Sequence, residues 1–189
     1  MRALVADVDL APHNLMWPLF VREGLNAPRE IASMPGVLQH TLESLPLALD
    51  DAIESGIRSV MLFGVPEERD AIGSQADAPG GILASALRTA RSHVGDRLVI
   101  VADLCLDEYT DHGHCGVLDH AGRVDNDATL TRYTAMACTL AAAGADLVGT
   151  SGAMDGQVAT VRASLDEHGF IDTGILAYAA KYASSFYGP

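Results

Sequence analysis

Five short apolar runs, at residues 16–21, 59–63, 98–102, 146–149 and 174–178, recur along the chain at intervals of roughly 40 residues. Each is too short for a stable helix and carries β-branched or aromatic residues, as in Val60-Met-Leu-Phe63 and Leu98-Val-Ile-Val101. Between them apolar residues return at helical spacing. The segment 45–54 stops at Gly56, 82–90 follows Pro79-Gly80-Gly81, 126–144 starts on Asn126 as a cap and ends at Gly144, and 154–167 ends at Gly169. Strands that are apolar on both faces and alternate with helices predict a parallel sheet covered by helices, an α/β fold.

Two architectures use that alternation. A doubly wound sheet usually marks its nucleotide site with a glycine-rich turn after the first strand, and Val21-Arg-Glu-Gly-Leu-Asn-Ala-Pro28 is not such a turn. In a (β/α)8 TIM barrel the chemistry collects where strands end. Here Asp103 follows the third strand, Ser151 the fourth and Lys181 the fifth. The barrel is therefore the expected fold, with about five of its eight β/α units in a single domain spanning residues 1–189. A whole barrel typically takes about 250 residues, so the domain reads as incomplete on its C-terminal side. Five strands in the open would leave two unpaired edges.

The chain has 189 residues, 49% of them hydrophobic, enough for one sizeable core. Its formal charge of −13 argues against a nucleic-acid surface, because phosphate binding needs clustered Lys and Arg. Asp7 and Asp9 interrupt the start where a signal peptide would be apolar, and no run approaches the roughly 18 apolar residues of a membrane span. The expectation is a cytoplasmic protein that binds neither nucleic acid nor membrane. Three cysteines, an odd number, suggest thiols or metal ligands in a reducing compartment.

The densest chemistry lies in Ala102-Asp-Leu-Cys-Leu-Asp-Glu-Tyr-Thr-Asp-His-Gly-His-Cys-Gly116. Strand alternation would put Asp103, Cys105 and Asp107 on one face, with Leu104 and Leu106 on the other. Cys115, ten residues beyond Cys105, can fold back over the strand end. Cys105, Asp107 and Cys115 then offer two thiolates and one carboxylate, leaving a fourth position for water or substrate, as in a catalytic zinc site. Mg²⁺ would use Asp107 and water and ignore the thiols. The plainer alternative makes Cys105 a small buried hydrophobe and Cys115 a loop thiol. His112 and His114 flank Gly113, where ordering the loop is at least as good a role as catalysis. Cys138 falls on a helix stripe and Asp155 near a helix start, both structural by default.

Lys181 is the only lysine among twelve basic residues. Its neighbours in Tyr178-Ala-Ala-Lys-Tyr182 are small or aromatic, and burial among such groups lowers an ammonium pKa until a free amine exists near neutrality. Arginine cannot substitute in that role. Lys181 is thus a candidate Schiff-base nucleophile, with Ser184, Ser185 and Tyr187 as nearby proton-transfer or substrate-holding groups.

Ser33-Met-Pro-Gly36, Val60-Met-Leu-Phe-Gly64, Asp107-Glu-Tyr-Thr-Asp-His-Gly-His-Cys-Gly116, Met154-Asp-Gly156 and Ala180-Lys-Tyr-Ala-Ser-Ser-Phe-Tyr-Gly-Pro189 occur in this order from about residue 14 to the last. Together they resemble the delta-aminolevulinate dehydratase (porphobilinogen synthase) family. The resemblance implies a barrel hydro-lyase of tetrapyrrole and heme biosynthesis that condenses two 5-aminolevulinates to porphobilinogen with loss of water. It implies a Schiff base on Lys181, a substrate site lined by Asp103, Ser151 and Tyr187, and a homo-octamer. Zinc-type members carry three cysteines at the positions of Cys105, Asp107 and Cys115; the aspartate here leaves Zn²⁺ and Mg²⁺ both open. The family's second active-site lysine and its carboxylate-gripping arginines fall beyond residue 189. Two other readings remain at this point. One is a non-catalytic short relative that binds metal or a full-length subunit, and the other is a different Schiff-base barrel enzyme such as a class I aldolase.

Overall fold

In strand β4 (Ser59–Val65) five of seven residues are buried, including Val60, Met61 and Leu62 in succession, so both of its faces are covered. That burial on both sides is what the near-continuous apolar run requires. A computed structural model describes residues 5–178. The remaining strands and α-helices are β1 (Met16–Arg22), β2 (Arg29–Glu30), β3 (Leu38–His40), α1 (Leu45–Glu54), α2 (Ile82–Val94), β5 (Val99–Asp103), α3 (Asn126–Ala142), β6 (Leu147–Gly149), α4 (Gln157–Glu167) and β7 (Gly174–Leu176).

The strand order among the described residues is β2-β3-β1-β4-β5-β6-β7. The five expected strands, β1, β4, β5, β6 and β7, lie side by side in chain order, and every one of their pairings is parallel. A doubly wound sheet would reverse its strand order at a switch point. Here the order only advances, which is the progression of a β/α barrel, with α1, α2, α3 and α4 as the connections between successive strands.

The structure corrects the sequence reading in four places. The β1 edge is covered among the described residues: β3 pairs parallel with Phe20 and Val21, and β2 pairs antiparallel with β3. The side chain that caps α3 is Asp125, which accepts from the Ala128 amide at 3.0 Å, so Asn126 is the first helical residue. α4 begins at Gln157, after Gly156 in the left-handed conformation, three residues later than expected. β5 ends at Asp103, so the strand alternation invoked for Cys105 and Asp107 does not extend to them.

α1 buries Leu45, Ala48, Leu49 and Ala52, and α2 buries seven residues including Leu83, Leu87 and Val94, in one core with the inner residues of β1, β4 and β5. At the N-terminal ends of the strands, Asp146 accepts from the Ile100 amide at 2.7 Å and pairs with Arg91 at 2.6 Å. Arg91 also donates to the Gly144 carbonyl at 3.1 Å, so α2, β5 and the turn into β6 are fastened at one point.

Arg132 of α3 fastens the opposite end. Its guanidinium takes Asp77 bidentately at 3.0 and 2.6 Å and donates to the carbonyls of Ile72 and Gly73, both at 3.2 Å. The pair is about four-fifths shielded, with side-chain exposures of 20% and 22%. Arg132→Ala removes a planar clamp that one lysine ammonium cannot reproduce. The expected cost is about 2 kcal/mol in urea unfolding, with Arg132→Lys recovering only part of it.

Candidate active site

β5 and β6 end next to each other, Asp103 opposite Gly149. One more ladder bond, Leu104 N–H to Gly149 C=O at 2.8 Å, carries the pairing just past β5. The turn after β6 then brings Ser151 over the end of β5, where its hydroxyl donates to Asp103 Oδ1 at 2.6 Å. Asp103 is 4% exposed. A carboxylate and a hydroxyl from two adjacent strands thus share a sheltered place at the C-terminal end of the sheet. The backbone there is under strain: Ala153, two residues on, has φ 55, a conformation that costs a non-glycine residue on the order of 1 kcal/mol.

Beyond Leu104 the chain folds into a tight turn, with the amides of Tyr109 and Thr110 both bonded to the Leu106 carbonyl at 2.9 Å. The turn is pinned from the side by Asp70, whose N–H meets the Tyr109 carbonyl and whose C=O accepts from Asp111. Arg132, through Ile72 and Gly73, holds that flanking loop. Thr110 Oγ1 donates to the His114 carbonyl at 2.9 Å, and the His114 amide donates to His112 Nδ1 at 3.1 Å. His112 Nε2 lies 3.2 Å from the Ala71 carbonyl. The His112 ring and the His114 main chain therefore order the loop.

The folded loop returns Cys115 to Cys105. The ligand atoms of Cys105, Asp107 and Cys115 all lie within 4.8 Å of one another, as do those of Asp103, Asp107 and Glu108. The three residues picked out for a metal thus come together, though a turn and not strand alternation assembles them. A hydrogen bond with Cys115, burial and the nearby carboxylates push the Cys105 thiol well above its usual range. Burial opposes ionisation of Asp107, but hydrogen bonds from Glu108 and Cys105 outweigh it and hold that carboxyl below its usual range. Glu108 is pushed up by burial, by its hydrogen bond to Asp107 and by the charges of Asp103 and Asp107.

The cluster fits a cation. Among the described residues Glu108 Oε2 is buried without a hydrogen-bond partner, and the neighbouring carboxylates crowd negative charge into one sheltered volume. Two sulfurs and a carboxylate suit zinc; the carboxylates alone suit a harder ion such as Mg²⁺. No positive side chain is needed if an ion stands among them.

Tyr133 of α3 completes the wall. It is fully buried, its hydroxyl donates to the Cys115 carbonyl and lies 3.8 Å from Cys105 Sγ. Tyr109, 2% exposed, lies below the turn. Gly152, beside Ser151, faces the Tyr133 ring so closely that a Cβ there would overlap the Tyr133 hydroxyl.

A model of the family described as Delta-aminolevulinic acid dehydratase matches residues 1–189. The chain belongs to that family. It is 56% identical over 191 residues to the delta-aminolevulinic acid dehydratase of Streptomyces coelicolor and 55% identical to that of Mycobacterium tuberculosis, in each case covering all of this chain and 58% of the relative. A delta-aminolevulinic acid dehydratase of Ruminiclostridium josui is 40% identical over 189 residues, which make up 91% of that protein. The crystal structure of delta-aminolevulinic acid dehydratase (porphobilinogen synthase) from Toxoplasma gondii ME49, in complex with the reaction product porphobilinogen, superposes with a TM-score of 0.94 at 39% identity. It covers 99% of this chain and 53% of that one. The chain thus spans little more than half the length of the Streptomyces, Mycobacterium and Toxoplasma proteins.

Of the residues expected in a site, Asp103 and Ser151 meet in a hydrogen bond, and Cys105, Asp107 and Cys115 cluster beside them. Lys181 and Tyr187 lie outside the described residues. Cys138 is half-buried, 3.3 Å from Ser164 Oγ between α3 and α4, a structural position. Asp155 is tied to Asn126 through both its amide and its carbonyl, and so joins the start of α3 to the β6–α4 turn. Sequence reasoning missed Glu108 and Tyr133 as members of the cluster. Glu108 adjoins Asp107 and carried a signal; Tyr133 looked like one more apolar position on a helix stripe.

Proposed function

We propose that this chain supplies the Schiff-base half of a porphobilinogen synthase, which condenses two 5-aminolevulinates to porphobilinogen with loss of water. The observation that carries the reading is the Ser151–Asp103 hydrogen bond of 2.6 Å beside the thiol–carboxylate cluster, at the strand ends where a barrel does its chemistry. Membership of the family, and the product-bound Toxoplasma relative, support the choice of substrate.

Lys181 is the proposed nucleophile. Its neutral amine adds to the ketone of one 5-aminolevulinate and expels water, leaving an imine. Asp103, Ser151 and Tyr187 are proposed to hold and orient substrate, with the Asp103–Ser151 pair giving one acceptor and one donor in fixed geometry. Cys105, Asp107 and Cys115 would hold Zn²⁺; Mg²⁺ would draw on Asp107 and its neighbouring carboxylates. The ion, when bound, supplies a Lewis acid that polarises a substrate oxygen. Homo-oligomeric assembly is part of the proposal, on family membership, and a reducing, cytoplasmic setting on the buried Cys105 thiol. Among the described residues no helix is long and apolar enough to cross a membrane.

The test uses the full-length protein, 5-aminolevulinate and borohydride. Porphobilinogen formation, together with a reduced adduct mapped by mass spectrometry to Lys181, is the expected result. An active protein with its adduct on another residue, or no product and no adduct with added zinc or magnesium, would overturn the assignment.

A further inference from the structure

Tyr133 has no part in the chemistry proposed so far, yet it touches both cysteines of the cluster and the loop that carries Ser151. Its ring comes from α3, packed in the core with Met136, Ala137 and Leu140, so its position is set by the helix and not by the loops. The hydroxyl is the only polar part of a fully buried side chain, and it is aimed into the cluster. It donates to the Cys115 main-chain carbonyl and stands 3.8 Å from Cys105 Sγ. On its other side it occupies the space that a Cβ on Gly152 would fill.

From this placement we infer that Tyr133 is a positioning residue for the metal centre, which sets the separation of the two sulfurs and thereby makes the site prefer a thiophilic ion. The inference rests on the reading that Cys105, Asp107 and Cys115 hold the metal. Cys115 ends a ten-residue excursion from Cys105, and its return must be fixed for two sulfurs to meet one ion. Thr110, in the middle of the excursion, holds His114 just before Cys115, and Val117 is fixed after it by Thr129 Oγ1 at 3.0 Å. Tyr133 bonds the Cys115 carbonyl itself. The single hydroxyl hydrogen goes to the Cys115 carbonyl, so the hydroxyl acts on the ligand set through that main-chain bond, and losing such an outer partner typically lowers metal affinity by about 10- to 100-fold. A harder ion held by Asp107 and Glu108 uses neither sulfur and is indifferent to it.

The experiment compares Tyr133→Phe with the unaltered full-length protein, since phenylalanine keeps the ring packing and deletes only the hydroxyl. Zn²⁺ affinity is expected to fall about 10-fold or more, with Mg²⁺ affinity unchanged. Cobalt in place of zinc should show weakened or shifted sulfur-to-cobalt charge-transfer absorption. These readouts separate positioning from a structural role, because a merely less stable fold would lower the melting temperature without changing the cobalt spectrum or the zinc-to-magnesium preference. Equal zinc affinity and an identical cobalt spectrum in the variant overturn the inference while leaving the metal site intact. Cys115→Ala tests the underlying reading separately. If the sulfur-to-cobalt absorption of the unaltered protein is absent, or keeps its full intensity in Cys115→Ala, the ligand assignment fails and the inference falls with it.

Discussion

Lys181→Arg in the full-length protein is expected to abolish the borohydride-trapped adduct and to lower turnover at least about 1000-fold. The change keeps a long basic side chain. What it removes is the ability to lose a proton, since a guanidinium stays protonated at any pH an enzyme works at, and without a lone pair no imine forms. Metal affinity should be untouched, because the proposed sulfur and carboxylate ligands come from the turn after β5. Turnover within tenfold of the unaltered protein would exclude Lys181 as the nucleophile. As the only lysine up to residue 189, Lys181 also gives a simple reading: amine-directed labelling of this stretch has one side-chain target.

Gly152→Ala should be the most damaging single-methyl change near the site. The new Cβ would overlap the Tyr133 hydroxyl and lie 3.1 Å from Cε2, and the fully buried ring has no free direction in which to retreat. Overpacking of this kind typically costs about 1–3 kcal/mol. Relief by moving the ring pulls it from the Cys115 carbonyl, and relief by moving the backbone pulls Ser151 from Asp103. The substitution is therefore expected to lower stability in urea and to weaken zinc binding or substrate binding as well. In combination with Tyr133→Phe its cost should be less than the sum of the two, because the nearest clashing atom is gone. An unchanged midpoint together with strict additivity would show that the turn has room to spare.

The barrel strands were legible because each reads as a short apolar run; β4 is buried on both faces, and 59–63 predicts its start to the residue and falls two short of its end. β2 and β3 were not. Arg29–Glu30 and Leu38–His40 are two and three residues long, polar or mixed, and pair through main-chain groups that leave no hydropathy signal. The cap of α3 shows a similar limit, since Asp125 and Asn126 are both good caps and only the backbone geometry, with Asp125 extended, decides between them. Asp103, Cys105, Asp107 and Cys115 could be read as a chemical cluster from residue types within one loop. The partnership of Asp103 with Ser151, 48 residues away, needed the parallel pairing of β5 with β6. Tyr133 was illegible for a different reason: a buried tyrosine on a helix stripe looks like core until something polar is found at its tip.

Arg91 and Asp146 join β5 to the turn before β6 at the end of the sheet away from the cysteines. Strand alignment is thus secured where no chemistry takes place, and the loop from Cys105 to Cys115 is spared that duty. The proposed ion-binding set could consequently change by single substitutions, thiol for carboxylate at position 107 for instance, while the scaffold keeps its register. A change of preferred ion in the proposed site would leave the pairing of β5 with β6 intact.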